Sequence, residues 1–460
     1  RDSNGQFMVE KQIAHETKPP IATPTKQVTY GELFRFYIPL AIQAASQSLT
    51  YPLVASIASH GKGGPLNLAG MAQAMTLMGL LGMLGAGLVT TGMVYGKTKA
   101  GFARFQQVNW LFTVIVVVLM AILSIPPLAH LCLRDMLGLP VSIEKPAYQA
   151  FVASLALQVL FFIRNPYQVV LYIYGATTKA SVATISRIIG TVALVPVFVY
   201  WGLIGPIWAV VAQSVAVGFE VLLSWYFARP YTRLLPHTGV PPNRKEMVTF
   251  TLPLSAGGFF LNVSNVVISW SIGHAPNPER MMEAYYLASG LAGPAAFAAS
   301  RVQTVVLSIL PRVKTERMLR TFTLIVGLLM GGVPLLFILP GMSNIYYVSV
   351  QRCPKDLMPL VCISAIGLLF HPLTMAIRGY LEGKAAYQKK PIAILTGHSA
   401  YFVILTGTAL GCIALGISGN LLPALSLLLA NLAAAITMQI GIAYKKRRQP
   451  HPVPSETVES

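Results

Sequence analysis

Long apolar blocks and short polar ones alternate along the whole chain. Twelve apolar blocks are read at residues 34–59, 67–95, 107–132, 148–173, 180–200, 203–227, 248–272, 282–310, 319–340, 357–382, 391–414 and 420–444. Each runs for roughly 20 residues or more, the length at which a helix rising about 1.5 Å per residue crosses about 30 Å of hydrocarbon. Blocks of this length fit helices and not the strands of a barrel, which need only about 9–11 residues. The pattern predicts an all-α membrane protein of twelve transmembrane helices.

The blocks also repeat. FRFYIPLAIQAASQSLTYPLVASIASH (34–60) lies over VTFTLPLSAGGFFLNVSNVVISWSIGH (248–274) without a gap, 214 positions later, pairing Pro39 with Pro253 and His60 with His274. Near the end of each fourth block, NPYQVVLYIY (165–174) lies over HPLTMAIRGY (371–380), pairing Pro166 with Pro372 and Tyr174 with Tyr380. An internally duplicated transporter has this organisation. It predicts two pseudo-symmetric six-helix lobes, 34–227 and 248–444, with a polar linker at 228–247 and tails at 1–33 and 445–460. The linker carries Pro230, Pro236, Pro241 and Pro242 among basic residues and reads as a connection, not a span. Pro39, Pro166, Pro253 and Pro372 each remove a backbone hydrogen bond inside a span, which serves either gating or packing.

Composition agrees with the pattern: of 460 residues, 54% are hydrophobic and 11% charged, which a soluble protein of this length would rarely show. The net charge of +19 does not mark a nucleic-acid-binding protein, because the basic residues are scattered through short connections. With the amino terminus inside, the inner connections and the carboxyl-terminal tail hold 19 lysines and arginines and the outer connections hold 6. By the positive-inside rule both termini are cytoplasmic. Residues 1–30 begin at Arg1, lack the apolar core of a signal peptide and read as a cytoplasmic tail. Of the cysteines, Cys132 and Cys353 fall near the same outer surface, where a bridge would be geometrically reasonable; Cys362 and Cys412 complete a set with no metal-ligand spacing.

There is no Walker loop, no GxSxG, no HExxH and no pair of carboxylates on one helix, so the chain reads as no enzyme and needs no cofactor. The informative residues are the ionisable ones inside spans, since a charge at the bilayer centre costs several kcal/mol and normally faces a cavity or a partner. Arg164, Arg187, Arg301 and Arg378 stand against one central acid, Glu220, with Glu283 and Glu382 near helix ends. Arg187 and Arg378 lie close enough to the inner surface either to snorkel to lipid phosphates or to join the deeper Arg164 and Arg301 in attracting the substrate, and all four are substrate-binding candidates. An excess of guanidinium over carboxylate suits carboxylate or phosphate ligands. Glu220, paired to an arginine, and His371, beside Pro372, are the ion-coupling candidates. Gln43 and Gln47 in the first span, with Asn262 and Asn265 in the seventh, place hydrogen-bonding faces at equivalent depths, for lobe packing or a substrate path.

The paired lobes and the run YGATTKASVATISRIIGTVALVPVFVYWGLIGPIWAVVAQSVAVGFEVLL (174–223), with Gly175, Thr177 and the Gly202 to Gly205 turn, resemble the multidrug and toxic compound extrusion (MATE) family and its wider flippase superfamily. LFRFYIPLAI (33–42), GMVYGKTKAGFARF (92–105), ASRVQTVVLSILPR (299–312) and HPLTMAIRGYLEGKAAYQKKP (371–391) are similar to the progressive ankylosis group within it. The resemblance implies a V-shaped two-lobed bundle, alternating access, H+ or Na+ coupling, and export of pyrophosphate, nucleotide or citrate-like anions. The acid that many MATE exporters use in the first span has no counterpart in 34–59. The expected function is a secondary active transporter of a small organic or phosphorylated anion, monomeric and multi-pass in the plasma (inner) membrane. The alternatives are a flippase for an anionic lipid-linked precursor, a general multidrug or organic-ion efflux protein, and an assembly protein without a substrate.

Overall fold

The computed structural model describes residues 28–47, 50–62, 64–136, 139–238, 241–313, 315–350 and 353–444. The first six predicted spans become α1 (Tyr30–Gln47) with α2 (Thr50–Ser59), α3 (Pro65–Gly82) with α4 (Leu88–Tyr95), α5 (Lys99–Leu123), α6 (Val141–Ile173), α7 (Thr177–Tyr200) and α8 (Pro206–Arg233). The next six become α9 (Arg244–Gly273), α10 (Pro278–Ser300) with α11 (Val302–Ile309), α12 (Glu316–Leu336), α13 (Met358–Gly367) with α14 (His371–Tyr387), α15 (Pro391–Ala414) and α16 (Leu422–Tyr444). Among the described residues, eleven helical segments are long and apolar enough to cross a membrane. The expected first span is the exception: it is described as α1 and α2, on either side of residues 48 and 49.

Several boundaries move. The 228–247 stretch is helical at both ends, because α8 runs on to Arg233 through Pro230 and α9 starts at Arg244. The third predicted block is displaced: α5 ends at Leu123, and Pro126 then starts a short helix, Pro126–His130, that passes into a π-helical turn, Leu131–Met136. The second lobe does the same 214 positions later, where Pro340 opens Pro340–Ser343 and a π-helical turn at Asn344–Val350. The repeat register therefore extends further than the first span. At the fifth-to-sixth connection Gly202 and Gly205 have φ of 70° and 110°, the left-handed backbone that the G-x-x-G turn requires and that glycine enters without strain.

Within the first lobe α6 packs on α3, α5 and α8, while α7 packs on α8 and α1. Within the second, α14 packs on α10, α11, α12 and α16, and α15 lies between α9 and α16. Outward-facing apolar residues remain uncovered: Ile189, Leu222, Leu328, Val403, Ile436 and Ile440 are each more than 60% exposed. A water-facing surface would not carry such a belt, whereas lipid solvates it.

The lobes meet on the face from which both described chain ends emerge. On one side Tyr37 Oη donates to the Ala298 carbonyl (3.1 Å), Phe34 and Tyr37 pack edge-on against Phe322, and Arg312 pairs with Glu32 (2.5 Å). On the other, α4 runs along α9. Gly87 N donates to Ser255 Oγ (3.4 Å), the Thr91 and Thr251 hydroxyls are 2.7 Å apart, and Glu246 accepts from Tyr95 Oη (2.9 Å) and Lys389 Nζ (3.0 Å). The 214-residue register pairs Glu32 with Glu246 and Tyr37 with Thr251, so the two seams are repeats of one another. Their ion pairs are substantially exposed and contribute at most about 1 kcal/mol each. Helix packing and the buried hydroxyl contacts hold the seams.

Candidate functional site

Each lobe carries a buried charged cluster where its fourth, fifth and sixth spans meet. In the first lobe Arg164, Gln168 and Tyr172 follow one another at four-residue spacing along α6, which stacks them on one helix face. Thr184 and Arg187 face them from α7, and Glu220 from α8. Glu220, with no exposed side-chain surface, is the hub. Its Oε1 accepts from Thr184 Oγ1 (2.6 Å), Arg164 Nη1 (3.1 Å) and Gln168 Nε2 (3.3 Å); its Oε2 accepts from Arg187 Nη1 (3.0 Å) and Arg164 Nη1 (3.2 Å). Gln43 of α1 donates to Thr184 Oγ1 (2.9 Å) and accepts from Tyr172 Oη (3.0 Å), tying the first span to the cluster. Two guanidinium groups thus share one carboxylate. The Nε atoms of Arg164 and Arg187 are buried without a partner among the described residues.

Arg301 approaches from the second lobe. It sits at the junction of α10 and α11, its guanidinium 4.7 Å from the centre of the Phe297 ring and within electrostatic range of Tyr172 and Arg164. Glu283 lies 18 residues earlier in the same run, about 27 Å away along a helix, and is no partner for Arg301. It lines a separate depression with Tyr286, Leu287 and Gly290.

The second-lobe cluster has a different composition. Arg378 and Glu382 are four apart on α14 and pair at 3.1 Å. Glu382 Oε1 also contacts His398 Nε2 of α15 (2.8 Å). Arg378 Nη1 donates to Asn431 Oδ1 of α16 (2.8 Å), and its guanidinium lies 5.2 Å from the centre of the Tyr401 ring. One cation and one anion are matched here, with a histidine alongside.

Both clusters decide against snorkelling, one of the two roles open to these residues: Arg187 and Arg378 are 3% and 6% exposed and bond carboxylates inside the bundle instead of reaching lipid phosphates. Glu220 holds two arginines, not one. Glu382 lies five residues before the end of α14, as expected, and is held in a buried ion pair. Gln43 joins the first cluster. Asn262 and Asn265 lie in α9 outside both clusters, Asn265 exposed, and the side chain of Gln47 lies outside the described residues. His371 starts α14, seven residues before Arg378, and its Nδ1 has no hydrogen-bond partner among the described residues. Pro39, Pro166 and Pro253 sit inside continuous helices; Pro372 follows a 3-10 turn, Leu368–Phe370. The Pro39 carbonyl accepts from Ser181 Oγ (2.5 Å), binding α1 to α7. Cys132 and Cys353 are free thiols. No group of three or more His, Cys, Asp or Glu side chains able to hold a metal ion occurs among the described residues.

Sequence reasoning missed His398, Tyr401 and Asn431. Arg378 and Glu382 at i and i+4 were a legible signal, because that spacing pairs opposite charges on any helix. His398 carried a weaker one: it is the eighth residue of α15, as Thr184 is of α7.

No protein-family model matches the chain, and no curated protein matches its sequence. Solved structures do match its shape. A MOP superfamily transporter from Pyrococcus furiosus Vc1 superposes with a TM-score of 0.68 at 18% identity, covering 91% of this chain and 95% of its own. The eukaryotic MATE transporter AtDTX14 gives 0.72 at 13% identity over 89% and 94%. An outward-facing MATE family transporter of the MOP superfamily gives 0.70 at 18% identity over 90% and 96%. The chain has the MATE fold. Nearly the full length of each of these structures is matched, so the fold extends over both halves of the chain.

Proposed function

We propose that this MATE-fold chain is a multi-pass membrane transporter, not an enzyme, that moves a small organic or phosphorylated anion by alternating access. The surplus of positive charge at the first-lobe cluster carries this reading. Arg164 and Arg187 share a single carboxylate, Glu220, and Arg301 lies within electrostatic range of Arg164. Removing an ion from water costs several kcal/mol, so a net positive buried cluster is retained only where something offsets it. An anionic substrate does so, and guanidinium groups engage carboxylate or phosphate through paired N–H donors. The pocket of the Pyrococcus protein is described as having reverse polarity, suggesting a different function for that protein. A site with more arginine than acid in the present chain is consistent with a departure from cation export.

Within this reading the likeness to the progressive ankylosis group narrows the substrate to pyrophosphate, nucleotide or citrate-like anions. The 19 to 6 basic bias supports cytoplasmic ends in a plasma membrane, so that the sealed face is the inner one. The protein acts as a monomer, with the bilayer as its other partner. Uptake of labelled citrate and pyrophosphate into proteoliposomes tests the proposal. Saturable uptake that falls in Arg164→Gln supports it; translocation of an anionic lipid without uptake of either probe would replace it with the flippase reading.

A further inference from the structure

We infer that His398 is a proton-loading site in the second lobe, and that loading it loosens the seam between the lobes through α9. This goes beyond the anion reading and rests on the second cluster alone. His398 is 5% exposed, and its Nε2 lies 2.8 Å from Glu382 Oε1, so Nε2 carries the hydrogen that an ionised carboxylate accepts. Nδ1 is then the unprotonated nitrogen, and it has no hydrogen-bond partner among the described residues. A proton from hydronium adds there, converting imidazole to imidazolium as the hydronium O–H bond breaks to leave water.

The ionisable groups around it are few. Arg378 and Glu382 face it from α14, and Tyr401 lies one turn along its own helix. From α16 comes Asn431 and from α9 Gly257, neither of which titrates. The charges of α9 are confined to Arg244, Lys245 and Glu246, more than about 16 Å before Gly257 along the helix. With His398 neutral, Arg378 and Glu382 cancel. With His398 protonated, two cations share one carboxylate, which is the charge composition that the first lobe holds permanently around Glu220.

Two adjacent glycines connect this site to the moving interface. A Cβ on Gly257 would collide with the His398 ring at Nδ1, so the ring rests directly on the α9 backbone. A Cβ on Gly258 would lie 2.8 Å from Ala86 Cβ of the first lobe. The α9 backbone is therefore held between the imidazole on one side and the turn before α4 on the other, with no side chain at either glycine. A new N–H at Nδ1 points at that backbone without an acceptor, an arrangement relieved when α9 shifts. Ser255 and Thr251, which contact Gly87 and Thr91 across the seam, sit on the same stretch of helix and shift with it.

Paired spin labels at Arg35→Cys on α1 and Lys245→Cys on α9, both exposed and on opposite lobes, read the seam without any substrate. The unsubstituted chain, with its four native thiols buried or half-buried, is the labelling control. Lowering the pH from about 8 to about 5 is expected to add a longer-distance population. His398→Gln should hold the pH 8 distribution throughout. An unchanged distribution in the His398 chain, or the same pH response in His398→Gln, overturns the inference. Gly257→Ala leaves every ionisable group in place and displaces the ring from α9; it should shift the distribution already at pH 8, and an unshifted one counts equally against the inference. Because no anion is present, failure here leaves the anion reading standing.

Discussion

The two lobes build charged clusters at the same place from different chemistry. In the register that pairs Pro166 with Pro372, Tyr172 of the first lobe falls on Arg378 of the second, and Thr184 and His398 are both the eighth residue of their helices. The first lobe surrounds a fully buried Glu220 with two arginines and two neutral donors, Thr184 and Gln168, and Gln43 braces Thr184. The second gives Arg378 its own carboxylate and puts a titratable ring where the first lobe has a hydroxyl. One scaffold position therefore holds fixed surplus charge in one lobe and adjustable charge in the other. In these registers Arg164 falls on Phe370, Arg187 on Tyr401 and Glu220 on Ala434, so similar places in the two halves carry different electrostatics.

The largest effect should come from removing the hub carboxylate. Glu220→Leu strands Arg164 and Arg187 without their counter-ion, and breaking a buried pair in this way costs about 3–5 kcal/mol. The protein should express poorly or melt markedly earlier. Glu382→Leu should cost less, because Arg378 keeps Asn431 and the Tyr401 ring. Melting temperatures of the two purified variants decide the order, and equal losses would mean that the clusters are energetically alike.

Arg301 sharpens the contrast between structure and binding. It belongs to the second lobe yet lies against the first-lobe cluster, in electrostatic range of Tyr172 and Arg164. Arg301→Gln removes a positive charge beside Arg164, and anion affinity should fall. Arg301→Lys should recover part of the affinity, since an ammonium keeps the charge and loses the fork. Thermal shift and binding of pyrophosphate or citrate, measured on one preparation, separate these outcomes. A stable Arg301→Gln protein with unaltered affinity would exclude Arg301 from the site. Thr184→Val belongs a step lower: it removes one donor to Glu220, worth about 1 kcal/mol, and leaves the charge count untouched.

The fold was largely legible because a membrane imposes one strong constraint, long apolar helices, and duplication let one half check the other. The breaks at Pro126 and Pro340 escaped notice, since their neighbours are as apolar as the spans, although the 214-residue spacing marks them. For the site, the unusual residues were visible but their partners were not. Arg164, Arg187, Arg378 and Glu220 stand out as charges in apolar sequence. Which of them meet depends on helix rotation, and depth alone left snorkelling open for two arginines that point inward. Asn262 and Asn265 were named for equivalent depth with Gln43, but depth does not choose a helix face. His398 sits in a span without charged residues, and only its contact with Glu382 distinguishes it.

The smallest effect concerns the repeated acids of the seam. Glu32 and Glu246 are repeat equivalents, and each bonds a residue of the opposite lobe, Arg312 in one case and Tyr95 in the other. Glu246 also takes Lys389 from its own lobe. All of these carboxylates and cations are more than a third exposed, so water and salt screen them, and Glu32→Gln or Glu246→Gln should lower stability by less than about 1 kcal/mol. Their influence should fall on the balance between conformations, where a few tenths of a kcal/mol already changes populations measurably. Spin-label distances across the seam should lengthen in each single variant at low salt and further in the double variant, with the difference fading at high salt. If one acid alone carries the whole effect, the two seams are equivalent in geometry but not in energy. If neither does, closure rests on the Thr91–Thr251 and Tyr37–Ala298 contacts, and Thr251→Val should then open the seam where the acid variants did not.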